Sequence, residues 1–285
     1  MKNRVIPVWA HILALLIIVL LLCLTGRELY YSKIPVTYER TAPVMGTTVR
    51  VKISGPGAPH WTQRAIWEMQ RLDRLFSRFD PRSEISLINR LAGRASLQLS
   101  PDTAAVLKMA EEVKKASGGA FDVMGVIRGR KAEHGAQEID LGGIGKGYAV
   151  ESARRLLLMK GVKSAIIDMH SSIAVVGDGW RVGLRDPRTS EVLGGVILND
   201  GDALSTSGQY EQPGHIVDPR TGKKADRCLS VTVVAKDAAL ADALSTAVFV
   251  LGPIDGWKLL ARFGAKAFVI DRNGKTYDSL GIKLR

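Results

Sequence analysis

Polar and apolar positions alternate in TTVRVKI, so Val49, Val51 and Ile53 share one face of a predicted strand. The period then changes. Ile66, Met69, Leu72, Leu75 and Phe76 recur three or four residues apart, which predicts a helix over residues 61–79 with one buried stripe. A second helix is expected at SPDT, where Ser100 can cap and Pro101 suits the first turn, and it ends at Gly118-Gly119. From Ile139 onward the texture is one of strands, short turns and glycines. AIIDMHSSIAVVG, WRVGLRD and VLGGVIL read as sheet strands, and CLSVTVVA as a buried strand feeding directly into a helix. Pro253 opens a further helix, and AKAFVIDRNGKTY predicts a hairpin turning at Asn273-Gly274. Strands and helices cluster instead of alternating, so the expected class is α+β.

The N-terminal pattern differs from the rest. Lys2 and Arg4 precede an apolar run from Ile6 to Leu24, long enough or nearly so to cross a bilayer as a helix. No small-x-small cleavage site follows it; Arg27, Tyr30 and Tyr31 do. The reading is a membrane anchor over residues 1–25, with the body on the periplasmic or outer side of a bacterial inner membrane. A cleaved signal is the alternative. Pro35 and Pro43 predict a linker over residues 26–44, which leaves residues 45–285 as the body.

Composition narrows the function. The chain has 285 residues, 46% of them hydrophobic, enough for a sizeable core. Its formal net charge of +12 favours an anionic partner. The basic residues are scattered, with no RNP-like aromatic run and no zinc-finger spacing, so nucleic acid is not expected. The two cysteines are Cys23, inside the apolar run, and Cys228, so neither an intrachain disulfide nor a cysteine metal site is expected.

Two stretches carry candidate chemistry. EIDLGGIGKGYAVESARRLLLMKG runs from strand to glycine-rich loop to helix, and backbone N–H groups at such a helix start attract phosphate. Lys146 adds charge in the same turn. The loop fits neither the Walker A nor the dinucleotide pattern, so a tight turn without ligand stays open. In AALADALSTAVFVL, a strongly apolar helix carries Asp242, with Thr246 four residues on and hence on the same face. Asp237 is the expected cap, so capping its own helix does not explain Asp242. A carboxylate and a hydroxyl are hard oxygen ligands of the kind Mg2+ takes beside water and phosphate. A helix edge with Asp242 in water or paired with an arginine is the alternative. Ser205, Thr206 and Ser207 end a strand, and His215 and Asp218 precede a Pro-Arg-Thr-Gly turn.

Taken in order, PVMGTTVRVKI, LDRLFSRFDPRSEISLINR, SGGAFDV, IDLGGIGKGYAVE, WRVGLRDPR, ALSTSGQYE, HIVDPRTG and SVTVVAKDAALADALSTAVFVLG resemble the ApbE family of FAD:protein FMN transferases. The resemblance covers nearly everything from Met45 to Gly252. It implies an α+β fold that binds FAD with Mg2+ and moves FMN onto a Ser or Thr hydroxyl of an acceptor flavoprotein, releasing AMP. FAD hydrolysis, or flavin binding without transfer, is the alternative outcome. By this resemblance Asp242 and Thr246 match metal ligands, with a backbone carbonyl at or near Gly143. Lys146 and Asp140 match flavin-nucleotide contacts. Met45, Phe79, Ala120, Phe121 and Asp122 match the pocket wall, and Ala225 a backbone contact. His215 matches a histidine that assists the acceptor hydroxyl, so His215 and Asp242 are the expected catalytic pair. The chain departs from the family in a short segment between Asp122 and Asp140, and in DMHSS, where the family strand has a glycine pair with a polar partner.

Overall fold

A computed structural model describes residues 13, 15–19, 35–91, 97–125, 138–189, 191–208 and 214–282. The expected anchor lies outside these residues except for Leu13 and residues 15–19, which are helical. Among the described residues no helix is long and apolar enough to cross a membrane.

The chain begins with a hairpin, β1 (Pro35–Val44) and β2 (Thr47–Pro56), followed by helices α1 (Ala58–Phe76), α2 (Glu84–Leu91) and α3 (Pro101–Ala116). Two short strands, β3 (Met124–Gly125) and β4 (Glu138–Ile139), lead to α4 (Gly145–Met159). Then come β5 (Ala165–Asp168), β6 (Ser172–Val176), β7 (Trp180–Arg185), β8 (Val192–Leu198) and β9 (Ala203–Gly208). The last elements are β10 (Cys228–Ala235), α5 (Ala238–Leu251), α6 (Pro253–Arg262), β11 (Lys266–Asp271) and β12 (Thr276–Asp278).

Eight strands form one sheet in the order β1-β2-β5-β6-β9-β10-β11-β12, and every neighbouring pair is antiparallel. Alternation along each strand separates two apolar layers. Val49, Val51, Ile167, Ala174, Val231 and Val269 meet the helices on one face. Ile173, Val175, Leu204, Phe268 and Ile270 meet the separate β7–β8 hairpin on the other, through its Val182, Leu184 and Leu198. Helix α5 lies against β9 and β10 and touches α3, α4 and α6, which explains why apolar residues surround it on nearly every side.

Three sequence expectations change. Residues 35–44 are not linker but the edge strand of the sheet, a position that tolerates Pro35 and Pro43 because one row of N–H groups goes unpaired. AIIDMHSSIAVVG is not one strand but the β5–β6 hairpin, with His170 at φ 63 in its turn. Helix α2 was unpredicted; it is short and opens with the Ser86 N–H donating to Ser83 Oγ at 3.0 Å. The helices from Ser100 and Pro253 and the Asn273-Gly274 turn form where expected, with Gly274 at φ 84.

Helices α4 and α5 cap one another. The Gly147 N–H in the first turn of α4 donates to Asp242 Oδ2 of α5 at 2.9 Å. The Ala238 N–H at the start of α5 donates to Glu151 Oε2 of α4 at 3.1 Å. Each carboxylate therefore sits at the positive end of the other helix. Glu151 also takes Arg154, at 2.8 Å, and Arg155, at 3.0 Å.

Two predictions follow from this crossing. In most helices Gly→Ala stabilises by about 1 kcal/mol. At Gly147 the added Cβ would lie 2.6 Å from Asp242 Cβ and closer still to the Ala238 carbonyl. Gly147→Ala is therefore expected to lower stability by about 1–3 kcal/mol in urea unfolding; a gain would show that the helices do not pack this closely. Glu151→Ala strands the buried Arg154, whose side chain is 6% exposed, and is expected to lose about 3–5 kcal/mol by the same measurement. An effect within error would remove the reciprocal cap.

Candidate functional site

Asp242 sits at the base of a cavity of about 1200 Å³ that opens beside the start of α4. The residue is 4% exposed, and its two oxygens have different partners. Oδ2 accepts the Gly147 N–H, and Oδ1 lies 3.0 Å from the Ser205 hydroxyl of β9. That hydroxyl is also 3.0 Å from the Ser171 carbonyl, and it has one proton to give. The carboxylate is thus only partly compensated. Burial pushes its pKa up, while Lys146, the Gly147 N–H and the Ser205 and Ser172 hydroxyls pull it back. Neither alternative from the sequence, water nor an arginine partner, describes it: Asp242 is a cap for a second helix.

Thr246 is prepared by a chain of hydroxyls. Ser245 Oγ donates to the Asp242 carbonyl at 2.9 Å, which uses its only proton. Ser207, 2.7 Å away, must then donate to Ser245. Thr246, 3.2 Å from Ser207, must donate to Ser207 in turn. Both Thr246 Oγ1 lone pairs are left uncommitted on the cavity wall. Any Cβ at Gly143 would come 3.2 Å from this oxygen and 3.1 Å from the Phe121 ring, so glycine keeps the approach open.

The carboxylate of Asp242 and the hydroxyl of Thr246 are hard oxygens that fit a small hard dication whose remaining ligands are water and phosphate. Among the described residues no group of three or more His, Cys, Asp or Glu could hold a metal. The helix start and Lys146, whose charge also acts on Asp242, favour an anionic ligand.

The remaining predicted residues surround this centre. Met45 occupies the two-residue β1–β2 turn at φ 51, with Gly46 at φ 71, and its N–H donates to Asp73 Oδ2 at 2.8 Å. A left-handed non-glycine residue held on a cavity wall stores about 1–2 kcal/mol of strain. Phe79 is 79% exposed at the rim, with the Arg78 guanidinium 4.3 Å above its ring. Arg78 reaches Asp140 Oδ2 at 3.4 Å, while Asp140 Oδ1 accepts the Gly142 N–H at 2.9 Å. Ala120, Phe121 and Asp122 line the wall, with Asp122 paired to Lys114 at 2.7 Å. His215 faces the same cavity.

Ala225 does not reach the lining. Its N–H donates at 3.0 Å to the carbonyl of Ile216, which does. Sequence reasoning missed Arg50, Arg181 and Arg185 on the cavity wall and the Ser172 hydroxyl behind the centre, where Ser205 and Ser207 of the strand-end cluster also lie. Ser172 left a trace, as Ser205 did: each is polar two residues from an alanine, Ala174 or Ala203, of the helix-side core. A smaller cavity of about 390 Å³ holds none of the predicted residues, and its Glu68 and Asp102 carboxylates are taken by Arg71 and Tyr148.

Several known proteins are similar to this chain in sequence or in fold. A FAD:protein FMN transferase of Rhodobacter capsulatus is 36% identical over 149 residues, covering 48% of this chain and 28% of the relative. The protein of the same name from Escherichia coli (strain K12) is 30% identical over 154 residues, covering 49% of this chain and 44% of the relative. The matched region is therefore less than half the length of these relatives. The crystal structure of the ApbE protein from Thermotoga maritima superposes with a TM-score of 0.76 at 27% identity, over 86% of this chain and 97% of that one. Residues 45–125 and 124–269 match the sequence model of the ApbE family, and the chain belongs to that family.

Proposed function

We propose that this chain transfers FMN from FAD to a Ser or Thr hydroxyl of an acceptor flavoprotein, with Mg2+ as cofactor and AMP as the other product. The observation that carries this reading is the pairing of a buried, half-compensated carboxylate, Asp242, with the uncommitted Thr246 hydroxyl beside Lys146. The names of the relatives support the flavin-transfer part.

Asp242 Oδ and Thr246 Oγ1 would hold Mg2+, with the Gly143 carbonyl as the third protein oxygen. Once bound, the ion would neutralise the pyrophosphate of FAD and the charge that develops as its bridge breaks. The chain's residues bind and orient around it. Lys146 and the α4 start hold the phosphates, Met45 and Phe121 wall the pocket, and Phe79 offers a face at the rim. The acceptor oxygen attacks the FMN-side phosphorus. A new P–O bond forms there, the bond to the bridging oxygen breaks, and AMP leaves with that oxygen. His215 receives the hydroxyl proton. Lys2 and Arg4 before the apolar run support a bacterial inner-membrane anchor, with the body on the periplasmic or outer side.

The full chain is to be mixed with FAD, Mg2+ and a peptide containing Asp-x-x-Ser/Thr-Gly-Ala-Thr. Mass spectrometry is expected to show an FMN adduct, with AMP released in equal amount. AMP and free FMN without adduct would mean hydrolysis, and neither product would end the proposal. Asp242→Ala is expected to lower turnover at least about a hundredfold while the protein still melts cooperatively. Unchanged turnover would remove Asp242 from the metal site.

The raised pKa of Asp242 has a sign that can be measured. As pH falls through that pKa the buried carboxylate takes up a proton that competes with Mg2+. The Mg2+-induced rise in Tm is therefore expected to shrink toward acidic pH and to vanish in Asp242→Ala. Without metal, this group contributes the opposite slope, because the folded state binds the proton more tightly than the unfolded state. A Mg2+ effect independent of pH would place the ion elsewhere.

A further inference from the structure

The outer face of the β7–β8 hairpin adjoins the large cavity and extends beyond it. Val182 and Leu184 turn inward to the sheet, so Arg181, Gly183 and Arg185 share the opposite face. Register sets Ile197 across from Arg181, Gly195 across from Gly183 and Val192 across from Arg185. Ile197 and Val192 are 57% and 51% exposed. The face therefore has arginines on one strand, branched apolar residues on the other, and a low glycine floor between.

The two arginines differ from their neighbours. Arg50, Arg78, Arg188 and Arg220 each have a carboxylate partner. Among the described residues neither Arg181 nor Arg185 has an ion-pair or side-chain hydrogen-bond partner. Both also line the large cavity, so the face continues into its mouth. They lie four strand positions apart, about 13 Å at the usual rise. Spread along the strand opposite exposed Ile197 and Val192, the pair suits an extended chain with acidic and apolar residues along it.

We propose that this face docks an acidic, extended segment of the acceptor protein and leads its hydroxyl into the adjoining cavity. The identity of the partner rests on the transferase reading; the preference for an acidic extended chain does not. The carboxylates pair with Arg181 and Arg185, apolar side chains cover Ile197 and Val192, and the glycine floor lets the segment lie close.

The test uses the full chain and two labelled peptides, one alternating Asp with Thr and one in which each Asp is Lys. Fluorescence anisotropy is expected to show salt-sensitive binding of the acidic peptide only. With no FAD present, the double variant Arg181→Glu/Arg185→Glu is expected to weaken that binding about tenfold and to favour the basic peptide. Arg181→Ala/Arg185→Ala should weaken the acidic peptide without acquiring the basic one, and both variants should keep the wild-type Tm. Unchanged acidic-peptide binding would overturn the proposal. If the charge swap holds but no peptide is ever flavinylated, the transferase reading fails and the docking face stands; adduct formation without the charge swap means the reverse.

Discussion

A carboxylate in an apolar helix is stable only where donors reach it, and the architecture around Asp242 brings two within 3.0 Å, with the Ser172 hydroxyl and the Lys146 charge also acting on it. One is the Gly147 N–H at the start of α4; the other is the Ser205 hydroxyl on β9. A single side chain thus joins two helices and the central sheet. The crossing must be close, which is why the position facing α5 is glycine, and Glu151 returns the cap in the other direction. Had Asp242 been fully satisfied, it would be a structural group and nothing more. It shares the Ser205 proton with the Ser171 carbonyl, and burial raises its pKa. What stabilises the helix pair therefore also leaves unspent negative charge at the floor of a cavity.

The location of that cavity follows from how unequally the two sheet faces are covered. Helices cover one face with a continuous apolar layer, whereas the β7–β8 hairpin covers only part of the other. The cavity draws on both. Asp242, Thr246 and the glycine loop come from the helix side, while Arg50, Asp168 and His170 come from the strand ends and turn beyond the hairpin's cover. His170 is held there in a left-handed conformation, with its N–H on Asp168 Oδ1 at 2.8 Å and its Nε2 2.9 Å from Thr48 Oγ1. A position that favours glycine therefore carries an imidazole.

Much of this was legible in the sequence, because hydrophobic periodicity and caps are local. The α1 stripe, the Ser100 and Asp237 caps, the buried β10 strand and the Asn273-Gly274 turn all depend on residues within a few positions of one another. The sequence also singled out Asp242 as a charge its own helix could not explain, and it set Lys146 at a helix start. What it did not contain was the partner. Gly147 and Asp242 are far apart in the chain, and no local pattern marks one as the donor to the other. Likewise, prolines at positions 35 and 43 suggest a linker until a neighbouring strand supplies the ladder, and DMHSS runs on as a strand until His170 turns it. Ala225 follows a recognisable turn, yet it backs Ile216 instead of lining the cavity. The sequence alone determined which segments are helix or strand and which residues are chemically out of place, because period and propensity act over a few residues. Only the tertiary structure decided what those residues meet, because hydrogen-bond partners and open space come from segments distant in the chain.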